Sequence, residues 1–141
     1  MRRIALAACI LACAAPAAFA ATWAPVRNSE GVSLLVDSRS VARKGDQVSL
    51  QYLIDYAKPQ VDPLRQLTYR SSVTRAKLRC NARTLSLGTI ELYTGPKATG
   101  VLLAAANPVG NESAFTPIEK GTSDEDLWRH ACEKKAQAKK P

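Results

Sequence analysis

The chain has 141 residues and a formal net charge of +8, with 46% hydrophobic and 23% charged residues. This length suffices for one compact domain with a short leader and excludes two ordinary domains, while the composition is that of a globular protein. The positive charge favours acidic partners such as polyanionic glycans, nucleic acid or anionic lipid, unless it serves only to keep the protein soluble.

Residues 1–20 have the features of a secretory signal peptide. Arg2 and Arg3 are basic, residues 4–15 are apolar, and Ala18-Phe19-Ala20 matches the A-x-A cleavage motif. The pattern predicts Sec-type export to the periplasm or the cell surface, with Ala21 as the first residue of the mature chain. Loss of the two arginines lowers the net charge to about +6.

Two alternatives to cleavage after Ala20 are open. The segment Ile10-Leu11-Ala12-Cys13 loosely matches a lipobox, which would make Cys13 a lipidated N-terminus. Retention of residues 1–20 as a membrane anchor is less favoured, because Pro16 interrupts an apolar stretch that is short for a transmembrane helix.

A period of two dominates the mature chain, as expected for β-strands with one buried face. Residues 32–36 and 48–56 alternate in this way, and Gly45 between them can adopt the positive φ of a hairpin turn. A further strand is predicted from Ser72 to about Ala82, followed by strand-like segments at 85–87, 90–92 and 101–103. The sequence therefore predicts about six antiparallel strands.

A surface loop is predicted between two of these strands. Residues 57–67 break the alternation and include Pro59 and Pro63. A loop of this length can carry a function, although an ordinary connection is the alternative. The candidate binding residues of the loop and its shoulders are Tyr56, Lys58, Gln60, Arg65 and Tyr69.

The strand that begins at Ser72 has cations at every second position, alternating with small or apolar residues that include Cys80. Its cations are expected to point to solvent and Cys80 into the core. Such a face could bind a polyanionic glycan or an acidic protein, whereas the lack of interleaved aromatic residues argues against nucleic acid. A merely solvated face is the alternative. The candidate binding face comprises Arg70, Arg75, Lys77, Arg79 and Arg83.

One segment near the C-terminus has a helical pattern. Ser123 is predicted to be its N-cap, and the three acidic residues that follow suit the start of a helix. The apolar stripe of this helix comprises Leu127, Trp128, Ala131 and Cys132. Residues 136–141 are predicted to be a disordered basic tail, so that the folded domain spans residues 21–135.

Cys80 and Cys132 are the only cysteines outside the predicted signal peptide. An exported protein folds in an oxidising compartment, where two such cysteines are expected to pair. Because both lie on predicted apolar faces, the disulfide is expected to tie the helix to the sheet. The predicted fold class is α+β, an antiparallel sheet with a C-terminal helix tethered to one face.

The sequence offers little for catalysis. The single histidine, His130, fits a charged row on the helix, and His130→Ala is expected to leave stability and function close to wild type. A hairpin turn at Gly45 would place Asp37 nearer Tyr52 than Asp55, so a pair of catalytic carboxylates is not expected. Asp37 is better explained as a turn-forming residue. No enzyme activity, cofactor or metal site is therefore predicted.

Short motifs in a fixed order extend over nearly the whole mature chain. They are Trp23, Val36-Asp37, Val41, Gly45, Val48, the segment 53–60, Ser71-Ser72, Cys80, Pro117-Ile118, Gly121-Thr122, Leu127-Trp128 and Cys132. In these motifs the chain resembles the surface-adhesin protein E family. The resemblance implies an antiparallel sheet that carries a C-terminal helix held by a disulfide.

The same resemblance implies a non-catalytic protein of the cell envelope that binds host matrix or serum proteins. Because the signal peptide favours release over a lipid anchor, a soluble periplasmic accessory protein is the alternative. Such a protein would act as an inhibitor or chaperone of another envelope protein. Self-association as a homodimer is also open.

Overall fold

The computed structural model describes residues 21–108 and 114–133. Within these residues, eight antiparallel strands form a single sheet in the order β1-β2-β4-β5-β6-β7, with β3 paired to β4 and β8 paired to β6. The strands are β1 (Trp23–Ser29), β2 (Val32–Asp37), β3 (Ala42–Lys44), β4 (Gln47–Asp62), β5 (Leu67–Arg79), β6 (Thr84–Tyr93), β7 (Leu102–Ala106) and β8 (Thr116–Pro117).

Several predictions from the sequence concern residues outside this description. They are the signal peptide at residues 1–20, the lipidation alternative at Cys13 and the tail at residues 136–141. Between Ala21 and Glu133, the described residues include no helix that is long and apolar enough to cross a membrane.

The predicted first hairpin is present. Gly45 has a φ of +60°, and the turn around it joins β3 to β4. The register pairs Val36 of β2 with Tyr52 of β4, so Asp37 lies next to the Tyr52 end of β4, away from Asp55. This arrangement confirms that the two aspartates are not neighbours across the strands.

Both aspartates serve as acceptors for backbone groups. Asp37 Oδ1 accepts hydrogen bonds from the amides of Thr22 and Arg39, at 3.0 and 3.1 Å. Asp55 Oδ1 accepts a hydrogen bond from the amide of Lys97, at 3.0 Å, in the loop between β6 and β7. The turn-forming role predicted for Asp37 is therefore confirmed.

The prediction of a surface loop at residues 57–67 is wrong. The strand β4 continues to Asp62 and β5 begins at Leu67, so only a four-residue turn separates them. Pro59 is tolerated because it lies in an irregular segment, between the paired residues Asp55 and Gln60, where the register shifts. A strand can contain proline where no ladder hydrogen bond is lost, which the sequence pattern alone did not reveal.

One face of the sheet, which we call the helix face, carries the main core. It contains buried side chains from β2, β4, β5 and β6 that pack against the C-terminal helix. The buried residues of this core are Leu34, Val36, Val48, Leu50, Tyr52, Ala76, Leu78 and Leu85 from the sheet, Ile118 after β8, and Leu127 and Ala131 from the helical segment. Strand alternation puts the odd-numbered residues of β4 and β5 on the other side, which we call the open face.

The helix α1 (Ser123–Trp128) continues into a wider π-helical turn (Arg129–Glu133). Its N-cap is Thr122, whose hydroxyl accepts a hydrogen bond from the amide of Glu125, so the prediction of Ser123 as the cap is off by one residue. Leu127 and Ala131 are buried, as the predicted apolar stripe requires. His130, off that stripe, is half-buried.

The disulfide between Cys80 and Cys132 is present and joins the end of β5 to the last helical turn, with the two Cα atoms 5.6 Å apart. The α+β fold class and the tethered helix are therefore confirmed. The predicted number of strands is too low, because the described sheet has eight. The segments predicted separately at 85–87 and 90–92 are both part of β6, and the sequence pattern did not predict β1, the short β3 or β8.

Glu125 is a buried charged residue at the junction of helix and sheet. Its carboxylate accepts a hydrogen bond from the amide of Gly121 at 2.8 Å, and it forms ion pairs with Arg83 at 2.9 Å and Arg129 at 3.3 Å. The hydrogen bond from Gly121, together with these guanidinium groups, holds the pKa of Glu125 below its ordinary value of 4.5. The junction is therefore expected to be sensitive to acid.

A carboxyl group with a lowered pKa in the folded state stabilises the fold above its unfolded pKa, and this contribution is lost as the pH falls through the folded value. We expect the free energy of unfolding to fall below pH 4.5 more steeply in the wild type than in Glu125→Gln. Burial raises the pKa of Asp124, which acts in the opposite direction, so the informative quantity is the difference between the two proteins. Urea unfolding between about pH 3 and about pH 7 measures this difference. If the free energies of unfolding of the two proteins change in parallel with pH, the expectation is contradicted.

Candidate ligand-binding surface

The open face of the sheet carries the predicted row of cations. Arg75, Lys77 and Arg79 of β5 are exposed, whereas Ala76 and Leu78 between them are buried on the helix face. Two residues along a strand span about 6.6 Å, so the Cα atoms of the three cationic residues are evenly spaced along one face. The solvent exposure of these side chains agrees with the sequence pattern, and their role in binding is still a prediction.

The other half of the open face is covered. There Leu35, Leu53 and Val73 form a second, smaller core, against which Trp23, Tyr93 and Ala98 pack. The loop that contains Ala98 is held down by Ser71, whose hydroxyl accepts a hydrogen bond from the amide of Ala98 and donates one to the carbonyl of Gly95. Solvent therefore reaches the open face mainly at its cationic half.

A groove of about 650 Å³ lies on this cationic half. The residues that line this strand-face groove are Ser40, Gln47, Ser49, Leu50, Gln51, Arg75, Ala76, Lys77, Ser86, Leu87, Gly88 and Phe115. The strand register pairs Gln51 with Arg75, and it pairs Lys77 with Ser49 on one side and Ser86 on the other. Cationic and neutral polar side chains are therefore side by side on the floor of the groove.

Phe115 forms part of the rim of the groove. It precedes β8, and the return of this segment to the edge of β6 brings its ring to the cationic row. The guanidinium carbon of Arg79 lies 3.9 Å from the centroid of the ring, a cation–π arrangement that orients Arg79. Nothing in the sequence pattern pointed to Phe115, because its position depends on long-range pairing.

Gly88 keeps the groove open beside Arg75. The register between β5 and β6 shifts between Thr74 and Ala76, opposite Gly88, which indicates a β-bulge. A Cβ atom at position 88 would lie 3.5 Å from the Cβ of Arg75, so any side chain there would occupy space next to Arg75. In the sequence, the separation of two short apolar runs by this glycine was a weak signal of the bulge.

Arg75 differs from the other arginines of the described chain. Arg27, Arg65, Arg83 and Arg129 form ion pairs. By contrast, the side chain of Arg75 forms no hydrogen bond, ion pair or ring contact with any residue in 21–108 or 114–133. Its guanidinium group is therefore available to a ligand.

Two arginines of the predicted binding face lie elsewhere. Arg70 donates a hydrogen bond from Nε to the carbonyl of Tyr56 at 2.9 Å. Arg83 forms an ion pair with Glu125 and stacks on Trp128, 4.1 Å from the ring centroid. The structure therefore brings together Arg75, Lys77 and Arg79 but assigns Arg70 and Arg83 to contacts within the fold.

The second predicted site belongs to a projecting hairpin, which we call the distal ribbon (residues 57–69). Strand β2 pairs with β4 only up to Tyr56, and β6 pairs with β5 only from Ser71 onward, so no other described strand flanks the ribbon. The candidate residues of this site are Tyr56, which immediately precedes the ribbon, and Lys58, Gln60, Arg65 and Tyr69 within it.

Most of these candidate residues make contacts within the ribbon. Tyr56 and Tyr69 pack edge to face at its base, with ring centroids 5.7 Å apart, and burial raises the pKa of Tyr56 to about 12. Arg65 pairs with Asp62 at 3.1 Å in the turn. Gln60 donates hydrogen bonds to the carbonyls of Lys58 and Pro59. These contacts give the side chains a role in shaping the ribbon, while a binding role is still a prediction.

No group of three or more His, Cys, Asp or Glu side chains that could hold a metal ion is found among the described residues. The lining of the strand-face groove combines the cations Arg75 and Lys77 with neutral polar residues, the apolar residues Leu50, Ala76 and Leu87, and the ring of Phe115. These groups suit reversible binding of an anionic, hydrogen-bonding ligand.

The fold and the groove define a disulfide-braced α+β domain with a cationic groove on the uncovered face of its sheet. The model of the family described as surface-adhesin protein E matches residues 23–133 of this chain. The chain therefore belongs to the surface-adhesin protein E family, which confirms the resemblance read from its sequence motifs.

Solved structures of protein E from Haemophilus influenzae have the same fold. The crystal structure of protein E from the non-typeable organism is 18% identical with a TM-score of 0.58, over 81% of this chain and 78% of that chain. Crystal form II of protein E is 16% identical with a TM-score of 0.57, over 82% and 97% of the two chains. At these identities the likeness shows the fold alone. A search of curated proteins finds no match.

Proposed function

We propose that this protein is an exported, non-catalytic binding protein of the cell envelope that acts as a surface adhesin. We assign its main contact surface to the strand-face groove and the neighbouring Arg79. Membership of the surface-adhesin protein E family supports the general role. The observation that carries the assignment of the surface is the exposed row of Arg75, Lys77 and Arg79, in which the side chain of Arg75 has no partner among the described residues.

The ligand that best fits this surface is a polyanion, carried by a glycan or by an acidic protein. Three cations at about 6.6 Å intervals can follow a chain of regularly spaced negative charges. Nucleic acid fits less well, because the aromatic ring at the groove, Phe115, is already stacked with Arg79. Stacking of successive bases would need further exposed rings beside the cations.

The soluble periplasmic accessory protein is the competing proposal. The two differ in location, because an adhesin must be reachable from outside the cell. Added protease should therefore cleave the protein on intact cells if it is an adhesin, and only after the outer membrane is permeabilised if it is a periplasmic protein.

Charge reversal of the cationic row tests the proposed surface. We expect Arg75→Glu/Lys77→Glu/Arg79→Glu to abolish retention on a heparin column while the far-UV circular dichroism is unchanged, because the three side chains point away from the core.

A triple variant elsewhere provides the matched control. Lys44, Lys97 and Lys120 are exposed, lie outside the strand-face groove and belong to neither candidate site, and their replacement by glutamate changes the net charge by the same amount. This control should retain most of the heparin binding. Equal losses in the two triple variants, or a loss that instead follows deletion of residues 134–141, would contradict the assignment of the surface.

A further inference from the structure

We propose that the strand-face groove binds an acidic sugar unit, so that the ligand of the surface is an acidic polysaccharide rather than any polyanion. The inference rests on the proposed function of the cationic row and goes beyond it. A charged row attracts every polyanion, whereas a groove with polar groups of several kinds can select one class of ligand. The volume of about 650 Å³ lies within the range of small-molecule sites.

The acidic group of the sugar is matched by Arg75 and Lys77. The planar guanidinium of Arg75 can bind a carboxylate or a sulfate through two parallel hydrogen bonds. Lys77 lies two residues further along the same face and supplies a second positive charge. Neither side chain contacts a described acidic residue, so neither needs to leave an internal partner in order to bind.

The hydroxyl groups of a sugar are matched by the neutral floor of the groove. Gln51 lies directly across from Arg75, and Ser49 lies directly across from Lys77. The amide of Gln51 and the hydroxyl of Ser49 can each donate and accept hydrogen bonds, as sugar hydroxyls do. A polyphosphate has no groups that would use both properties, and this difference separates the two ligand classes.

Space for the ring of the sugar comes from Gly88. A side chain at this position would enter the groove beside Arg75, since its Cβ would lie 3.5 Å from the Cβ of Arg75. The φ of Gly88 is outside the left-handed region, so a β-branched residue can replace it without backbone strain of that kind. Gly88→Val therefore fills the groove and changes no charge.

The test compares two probes on the wild type, Gly88→Val and the triple glutamate variant described above. One probe is a heparin hexasaccharide, and the other is a linear polyphosphate with a similar number of charges. We expect Gly88→Val to weaken binding of the hexasaccharide by about tenfold or more, the equivalent of roughly one good hydrogen bond. Binding of polyphosphate should change by less than about twofold, because the charges are retained.

Gln51→Leu provides a second variant, in case Gly88→Val lowers the amount of folded protein. It removes the amide at nearly constant volume and should show the same selective loss for the hexasaccharide. An unsulfated hexasaccharide of galacturonate serves as a third probe in the same binding measurements. Tight, Gly88-dependent binding of either sugar supports the inference, and such binding of the galacturonate hexasaccharide would show that carboxylates suffice as the acidic groups.

The failure of this inference can be told apart from the failure of the proposed surface. If both Gly88→Val and Gln51→Leu bind the hexasaccharide as the wild type does, and only the triple glutamate variant loses it, the groove is not a sugar site and the cationic row alone binds. Equal weakening of hexasaccharide and polyphosphate by Gly88→Val would also overturn a sugar site. If the triple glutamate variant binds normally, the proposed surface itself is wrong.

Discussion

Replacement of Cys132 by serine is expected to lower the free energy of unfolding by about 4 kcal/mol, which makes it one of the most damaging single changes in this chain. The disulfide closes a loop of 52 residues, and the chain-entropy model assigns about this amount to such a loop. A small domain has a total stability of roughly 5–15 kcal/mol, so the loss is a large fraction. Urea unfolding of the exported protein measures it.

The double variant Cys80→Ser/Cys132→Ser is the control for this measurement. It has no free thiol at either position, so intermolecular disulfides cannot distort the result. Its stability should match that of the single variant, because the loop is open in both. A loss of less than about 1 kcal/mol in the double variant would contradict the expectation and would mean that packing alone holds the helix.

The part of the fold that depends on local pattern could be predicted from the sequence. Strand alternation identified β2, β4 and β5, and it correctly separated the exposed Arg75, Lys77 and Arg79 from the buried side chains between them. The helix and its buried stripe followed from the spacing of Leu127 and Ala131. These features could be predicted because the apolar residues of each element recur with a fixed period along that element alone.

The errors arose where two adjacent residues carried the same local signal or where pairing with another strand overruled that signal. Pro59 indicated a loop, yet the partner strand shifts its register at this point and the hairpin continues. Thr122 and Ser123 are both good caps, and the sequence could not show which one faces the amide of Glu125. The error in the cap was a local ambiguity between adjacent residues with similar preferences, whereas the error at Pro59 was decided by pairing with another strand.

The candidate site was predictable only in part for the same reason. The cations of the groove lie on one strand, so their common face could be derived from alternation. The other residues of the groove that the proposals use come from three further parts of the chain. They are Gln51 from β4, Gly88 from the bulge in β6, and Phe115 from the segment before β8. Only strand pairing brings them to the same place, and no periodicity in a single sequence encodes that pairing.

Replacement of Trp128 by alanine is expected to lower the free energy of unfolding by about 3–5 kcal/mol, with the disulfide intact. The indole packs against the core of the helix face, and its Nε1 donates a hydrogen bond to the carbonyl of Cys80 at 3.1 Å. Its ring also lies under the guanidinium of Arg83. Truncation therefore leaves a cavity, an unpaired carbonyl and an arginine that has lost its stacking partner.

Trp128→Phe separates these effects. Phenylalanine retains most of the apolar volume and a ring for Arg83 but cannot donate the hydrogen bond to Cys80, so the expected loss is about 1–2 kcal/mol.

Because Arg83 also pairs with the buried Glu125, a double-mutant cycle of Trp128→Ala with Arg83→Ala should give a coupling energy above about 0.5 kcal/mol. A coupling energy near zero would show that the stacking of Arg83 on Trp128 adds no stability beyond the burial of the indole. A Trp128→Ala loss below about 1 kcal/mol would show that the disulfide, rather than the indole, fixes the helix on the sheet.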